Sequence, residues 1–272
     1  MKTRFSKFKI FLIVFCFSYF FIPLFSVSVQ AQTVKYIAHR GDMTDAPEQT
    51  YAAVDMAIKK GYKAFECDVW KTKSGDFLIH HDQDIYRLCG VHKNIKDLTE
   101  RNRWNYPYKN TKYGRQYILT FEEMAKYAKK KGMEVHFHLK ATTKEFTMKD
   151  LNKLVNIIKK HNMKNSAYLY SSNRKTIENL KNFPSYHTAG LKNDGKVIDL
   201  MRFGWTVTHD YKCDYVMYQY IPGKTDNQNL INYCHKRGIK VCFYNISTVN
   251  AVKRLKSIGV DMMILNKPIF IR

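Results

Sequence analysis

Two hydrophobic rhythms alternate along this chain. Short β-rich apolar runs stand at 34–38, 64–69, 134–140, 166–170, 186–190, 214–218, 240–244 and 261–265. Between them lie segments with apolar residues at helical spacing: 47–60, 121–131, 148–161, 174–182, 195–203, 226–237 and 249–257. The first helical segment opens at Pro47-Glu48, carries Ala52, Ala53, Met56 and Ala57 on one side, and stops before Gly61. Thr120-Phe-Glu-Glu123 has the spacing of a capping box, and Gly132 ends the helix it starts. Lys73-Ser-Gly-Asp76 reads as a turn into 77–80, a short run that pairs with or extends the second strand. Eight such units in about 240 residues predict an α/β fold, a single-domain TIM (β/α)8 barrel, over an open doubly wound sheet.

Two stretches break the rhythm. From Gln83 to Leu119 the chain is polar and aromatic with little periodicity, which predicts a long βα loop of the kind that carries function. At the start, Lys2, Arg4, Lys7 and Lys9 precede an apolar run from Ile10 to Val27, and Val29-Gln30-Ala31 has the small residues of a cleavage site. Residues 1–31 therefore read as a secretory signal peptide, with an uncleaved membrane anchor as the alternative. The expectation is an exported protein, periplasmic or secreted, with 32–272 as the barrel domain.

The formal charge is +23, and +19 remains once the four basic residues of the leader are removed. Such a surface attracts phosphate esters and can hold a protein at an anionic membrane. The lysines are scattered along helices and accompany no nucleic-acid-binding motif, so no specific nucleic acid is expected. Nothing in the sequence points to an obligate protein partner. Beyond the leader, Cys67, Cys89, Cys213, Cys234 and Cys242 are odd in number and lack metal-type spacing; mostly buried free thiols are expected.

Candidate chemistry sits at the ends of the apolar runs. Glu66 and Asp68 are two apart, so on a strand they share a face, roughly 6.6 Å apart. Phe65, Cys67 and Val69 claim the opposite face for helix packing, which leaves the acids pointing into the barrel. Two carboxylates there are costly unless a divalent cation neutralises them. His136, His138 and Lys140 repeat the alternation: His138 is a candidate third ligand, and Lys140 a candidate partner for phosphate or a developing oxyanion. His39 and His81 each follow a β run and form a candidate general acid/base pair, with Arg40 offering a forked donor to phosphate.

These residues carry a family resemblance. His39-Arg-Gly41, Pro47-Glu-Gln-Thr50, Glu66-Cys-Asp-Val69, Thr72-Lys-Ser-Gly75 and His80-His-Asp82 resemble successive blocks of the glycerophosphodiester phosphodiesterase family. Leu119-Thr-Phe-Glu-Glu123, Phe137-His-Leu-Lys140 and the closing stretch 259–268 are similar more loosely. The resemblance implies a TIM barrel that hydrolyses glycerophosphodiesters, or related lysophospholipid head groups, to glycerol phosphate and an alcohol with one divalent ion, commonly calcium or magnesium. It implies metal ligands at Glu66 and Asp68, acid/base catalysis at His39 and His81, phosphate contacts at Arg40 and Lys140, and an acid near the metal at Glu48. It also implies attack by the neighbouring glycerol hydroxyl, giving a cyclic phosphate that water opens. The chain departs from the family where His138 replaces a glutamate, which lowers the negative charge and turns preference towards zinc or manganese. Gln49 stands for the usual asparagine, Tyr244-Asn-Ile-Ser247 for a tryptophan-led block, and Asn266 for a common aspartate. A non-catalytic phosphate-ester binding protein on the same fold is the alternative.

Overall fold

The computed structural model describes residues 33–269 except 110, 142–144 and 194. The expected leader, residues 1–31, lies outside the described residues. Among the described residues no helix is long and apolar enough to cross a membrane.

The strands are β1 (Lys35–Ala38), β2 (Ala64–Lys71), β3 (Phe77–Ile79), β4 (Leu119–Thr120), β5 (Glu134–Leu139), β6 (Ala167–Ser171), β7 (His187–Lys192), β8 (Tyr215–Gln219), β9 (Lys240–Ile246) and β10 (Met262–Leu265). The helices are α1 (Tyr51–Lys59), α2 (Tyr86–Cys89), α3 (Phe121–Lys131), α4 (Met148–Lys160), α5 (Arg174–Leu180), α6 (Val197–Trp205), α7 (Gln228–His235) and α8 (Val249–Ser257). Eight strands are parallel neighbours from β1 through β2 and β5 to β10, and β10 pairs back onto β1, so the sheet closes. This is the barrel that the apolar spacing predicts. The run 77–80 does not prolong β2; it turns back as β3, antiparallel to β2, and β4 adds outside it.

Alternation along each strand divides the core in two. Phe65, Cys67 and Val69 of β2 and Val135, Phe137 and Leu139 of β5 join Met124, Leu151, Leu154 and Leu255 of the helices in an outer layer. Ile37, Ala64, Tyr170, Met217, Cys242 and Ile264 fill the barrel itself. Since the strand period is two, Glu66 and Asp68 must then point inward with Ala64. The five described cysteines are free, and all but Cys89 are buried.

Local signals explain the element ends. Thr120 caps α3 through Glu123 N–H while the Glu123 carboxylate accepts from Thr120 N–H, the expected box, and Gly132 ends the helix in the left-handed region. The expected start of the first helix at Pro47 is corrected: Thr50 is the cap, accepting from Ala53 N–H, and α1 starts at Tyr51. Gln49 has φ of 64°, which no helix admits, so 47–50 is a turn. From the aperiodic stretch 83–119, Ile85, Ile95, Leu98 and Ile118 pack on Trp70 of β2 and Leu78 of β3 in a small separate core. Buried Arg103 fastens it to the barrel by donating to Ile118 O and, at 2.7 Å, to Glu123 Oε1.

Candidate active site

The parallel register of β2 and β5 sets Asp68 beside His138 and Glu66 beside His136. One pair reaches the mouth and the other does not. His138 Nδ1 lies 3.0 Å from Asp68 Oδ1, and its ring stacks on Tyr170 at 4.8 Å. Tyr170 in turn donates its hydroxyl to Glu66 Oε1 at 3.0 Å. Ligand atoms of Glu66, Asp68 and His138 all fall within 4.8 Å of one another. Lys140, just past the end of β5, holds Nζ 3.5 Å from Asp68 Oδ1.

The turn after β1 brings the next two groups. His39 N–H donates to Leu265 O, which continues the β1–β10 ladder by one residue. Its Nδ1 lies 2.5 Å from Asn266 Oδ1, and Asn266 Nδ2 donates to Asn245 Oδ1 and Ser247 Oγ at 2.9 Å each. Those two acceptors orient the amide so that oxygen faces the ring, and His39 therefore carries its proton on Nδ1. Nε2 is left with a lone pair, 3.7 Å from Glu66 Oε2. Arg40 has φ of 56°, and Gln49 N–H donates to its carbonyl at 2.9 Å. Two non-glycine residues in the left-handed region side by side cost on the order of 1–3 kcal/mol each. The cost sits where the turn must present groups: Arg40 N–H donates to Glu66 Oε2 at 3.2 Å, and the Gln49 amide grips Asp68 at both Oδ2 (2.6 Å) and N–H (3.1 Å). Gly41, also left-handed at 73°, is pressed on α1, where a Cβ would meet Ala53 Cβ at 2.7 Å.

After β3 two histidines stand in sequence, and they differ. His80 is fully buried and donates from Nδ1 to Asp82 O at 2.8 Å. His81 opens on the cavity, with Nδ1–H donating to Asp82 Oδ1 at 2.7 Å. Arg87 of α2 holds Asp82 Oδ2 through Nε at 2.6 Å and Glu48 through Nη2 at 2.6 Å and Nη1 at 3.1 Å. Glu48 also accepts from Arg40 Nη1 at 3.3 Å. It stands behind Arg40 rather than in the acid–imidazole cluster, so its support reaches the site through two arginines.

The seven remaining expected site residues, His39, Arg40, Glu66, Asp68, His81, His138 and Lys140, line one cavity of about 510 Å³ at the C-terminal mouth of the barrel. Burial and the Asp68 charge push the Glu66 carboxyl up to about 8. Burial also acts on Asp68, but the His138 hydrogen bond and Lys140 outweigh it and hold that carboxyl well below its usual range. Burial and the Arg40 charge bring His39 down to about 4, so it is neutral near pH 7. A buried acid kept protonated by burial and by an ionised neighbour is a place for a cation. Two oxygens and an imidazole fit a divalent ion, more so one that accepts nitrogen.

Arg87, Tyr170 and the anchoring roles of Gln49 and Asn266 escaped the sequence reading. Arg87 belongs to a stretch flagged only as a functional loop, and Tyr170 looks like any strand aromatic. Their parts depend on register and on contacts across 39 and 104 positions.

Comparison with known proteins agrees with this architecture. The Glycerophosphoryl diester phosphodiesterase family model matches residues 39–269. A glycerophosphodiester phosphodiesterase of Caldanaerobacter subterraneus is 25% identical over 235 residues, covering 85% of this chain and 93% of its own. A phosphodiesterase from Oleispira antarctica, solved in complex with the product sn-glycerol-3-phosphate, superposes with a TM-score of 0.75 at 20% identity over 86% of this chain and 93% of that one. A glycerophosphodiester phosphodiesterase from Thermotoga maritima gives 0.67 at 18% identity over 87% and 96%. With the family match spanning both histidines, the acid pair and the closing strand, this chain belongs to the glycerophosphoryl diester phosphodiesterase family, a family of hydrolases.

Proposed function

We propose that this protein hydrolyses glycerophosphodiesters to glycerol phosphate and an alcohol, with His39 and His81 as the acid/base pair and Glu66, Asp68 and His138 as ligands of one divalent cation. The observation that carries the reading is the single cavity that holds an acid–imidazole cluster and two further imidazoles with opposite surroundings. The product seen with the Oleispira relative supports the substrate class.

The chain's own groups divide the work. Arg40 and Lys140 bind the phosphate oxygens. Neutral His39 takes a proton at Nε2 from the glycerol hydroxyl beside the phosphate as that oxygen bonds to phosphorus. His81, oriented by Asp82, gives a proton from Nε2 to the departing alcohol as its P–O bond breaks. The rings then exchange roles while water opens the cyclic phosphate. A cation held by Glu66, Asp68 and His138 would supply charge neutralisation at the phosphoryl oxygens. Imidazole in place of a third carboxylate favours zinc or manganese over calcium.

One contact favours a second reading. The His138–Asp68 hydrogen bond at 3.0 Å uses the imidazole nitrogen that faces the acids. If it persists with metal supplied, the pocket binds phosphate esters without turnover. Stripping the protein with EDTA and restoring single cations while following alcohol release from glycerophosphodiesters separates the two. Turnover restored by one or more cations is expected; none with any cation or diester would remove the enzymatic reading.

We read residues 1–31 as an export leader ahead of a barrel spanning 32–272, and the basic surface as suited to an anionic membrane. N-terminal sequencing of the protein from the producing cell tests this: a start at Gln32 is expected, and a start at Met1 in a soluble cytoplasmic fraction would refute it.

A further inference from the structure

A second cleft adjoins the catalytic cavity. About 720 Å³ in volume, it lies between α5 and α6 and shares Ser172, Leu191 and Asn193 with the catalytic cavity. Asn193 forms part of the common lip, and Tyr244 donates its hydroxyl to the Asn193 side chain at 2.8 Å from the catalytic side. The three shared residues make the cleft contiguous with the catalytic cavity, a space that a group esterified to a phosphate bound there could enter.

The cleft has a definite chemistry. Its floor is apolar, formed by Ile177, Leu191 and Phe203, and among the described residues its charged walls are Arg174, Lys192 and Arg202 against one acid, Asp199. Asp199 lies 3.9 Å from Arg202 and is already engaged. Among the described residues neither Arg174 nor Lys192 has a carboxylate at ion-pair distance. Arg174 is steadied by Nε donating to Tyr211 Oη at 3.2 Å, which leaves the two terminal nitrogens for a forked contact with an anion. A quaternary or primary ammonium would need a free acid or an open aromatic face. The Phe203 face already has Lys192 Nζ over it at 5.6 Å, and Tyr211 Oη is taken.

We propose that this cleft is a leaving-group subsite that takes an alcohol carrying a second negative charge, a carboxylate or a phosphate, and disfavours cationic alcohols. The proposal rests on the phosphodiesterase reading for its substrate but not for its binding test. Arg174 and Lys192 would contact the distal anion while the apolar floor holds the carbon skeleton between the two charges. Both residues lie outside the catalytic set.

The test uses four diesters that share sn-glycerol 3-phosphate and differ in the leaving alcohol: choline, glycerol, glycerate and glycerol phosphate. At low salt, kcat/KM for the phosphate-bearing alcohol is expected to exceed that for glycerol by about tenfold, as one charge-assisted contact of about 1.4 kcal/mol would give, with choline lowest. Replacing Arg174→Gln together with Lys192→Met is expected to bring the two ratios to near parity while turnover of the glycerol diester stays as it was. The glycerate diester separates the sources: preference for it shows that a carboxylate suffices, and preference for the phosphate-bearing alcohol alone restricts the subsite to phosphate. Calorimetric binding of the same diesters to a His39→Ala protein, with and without the double substitution, repeats the comparison without chemistry. Preferential binding that the double substitution abolishes would support the subsite even if no diester were turned over, in which case only the phosphodiesterase reading falls. Equal use and equal binding of all four alcohols, unchanged by the double substitution, would overturn the subsite while leaving that reading intact.

Discussion

The two ends of the barrel are built from the same pair of rings and do different things with them. At the N-terminal end His136 of β5 stacks on Tyr168 of β6 at 4.2 Å and nearly parallel; two residues on, His138 stacks on Tyr170 at 4.8 Å, again nearly parallel. The lower histidine is fully buried, meets Tyr215 Oη at 3.0 Å through Nδ1, and is held well below its ordinary range by burial, then by the Lys35 and His187 charges. The upper one meets a carboxylate and opens on a cavity. Identical chemistry thus becomes packing at one level and a candidate ligand at the next, and position along the strand makes the difference.

Substitution can break this contrast. His39→Ala and His81→Ala are each expected to lower kcat by about 10²–10⁴-fold, the scale of general acid–base catalysis, with little change in Tm. His136→Ala should do the reverse, costing about 3 kcal/mol through a buried void and an unpaired Tyr215 hydroxyl, or roughly 6–12 °C in Tm, while the surviving folded protein keeps its kcat. Melting curves beside initial rates decide it; a catalytic loss for His136→Ala out of proportion to its unfolding would erase the division between the ends.

Arg87 sharpens the description of the upper end. It ties Asp82 to Glu48, and so His81 to Arg40, from a helix outside the barrel. Arg87→Ala is expected to reduce kcat about tenfold with KM nearly constant, an effect on the orientation of His81 rather than on substrate binding. A purely structural role would instead lower Tm and leave kcat per folded molecule alone.

Buried groups of opposite sign set the pH dependence of stability: His39, with His80, His136 and His138 also held below the ordinary imidazole range by burial, and against them Glu66. Below about 6.5 the unfolded chain protonates His39 while the folded one stays neutral down to about 4, so this group costs stability as pH falls across that window. Metal-free folded protein keeps the Glu66 proton up to about 8, whereas the unfolded chain loses it near 4.5, so this group's contribution fades as pH rises through that window. The two slopes oppose one another where the windows overlap. From about 6.5 to 8 Glu66 acts alone, and the metal-free protein should lose at most about 1.4 kcal/mol per pH unit. Added cation or Glu66→Gln should flatten that fall; a slope indifferent to both would show that Glu66 does not hold the proton.

The smallest effect concerns the ion. His138→Glu supplies a third carboxylate and is expected to move the preferred cation towards calcium or magnesium, with a few-fold change in rate under the best ion of each protein. An unchanged order of cations would place His138 outside the coordination sphere, as a partner of Asp68 alone.

Much of this molecule was readable beforehand because its signals are local. Strand runs separated by helical spacing, the Thr120–Glu123 box and the inward turn of Glu66 and Asp68 need only a period and a neighbour. Even the identity of the outer face came from Phe65, Cys67 and Val69, since alternation leaves a strand two choices. The same logic stopped at Pro47-Glu48, where a helix start was expected and a left-handed Gln49 gripping Asp68 stands instead. At 77–80 pairing with the second strand and extension of it were both open, and the structure decides for an antiparallel pair.

Amino-acid order by itself settled the barrel and the residue types at its mouth, because hydrophobic period and strand parity act over a few residues. Which nitrogen of His39 keeps its proton, that Arg87 ties His81 to Arg40, and that Glu48 serves two arginines were decided only in three dimensions. Those outcomes depend on groups brought together from as far as Asn266, and on burial that moves a carboxyl or an imidazole away from its solution behaviour.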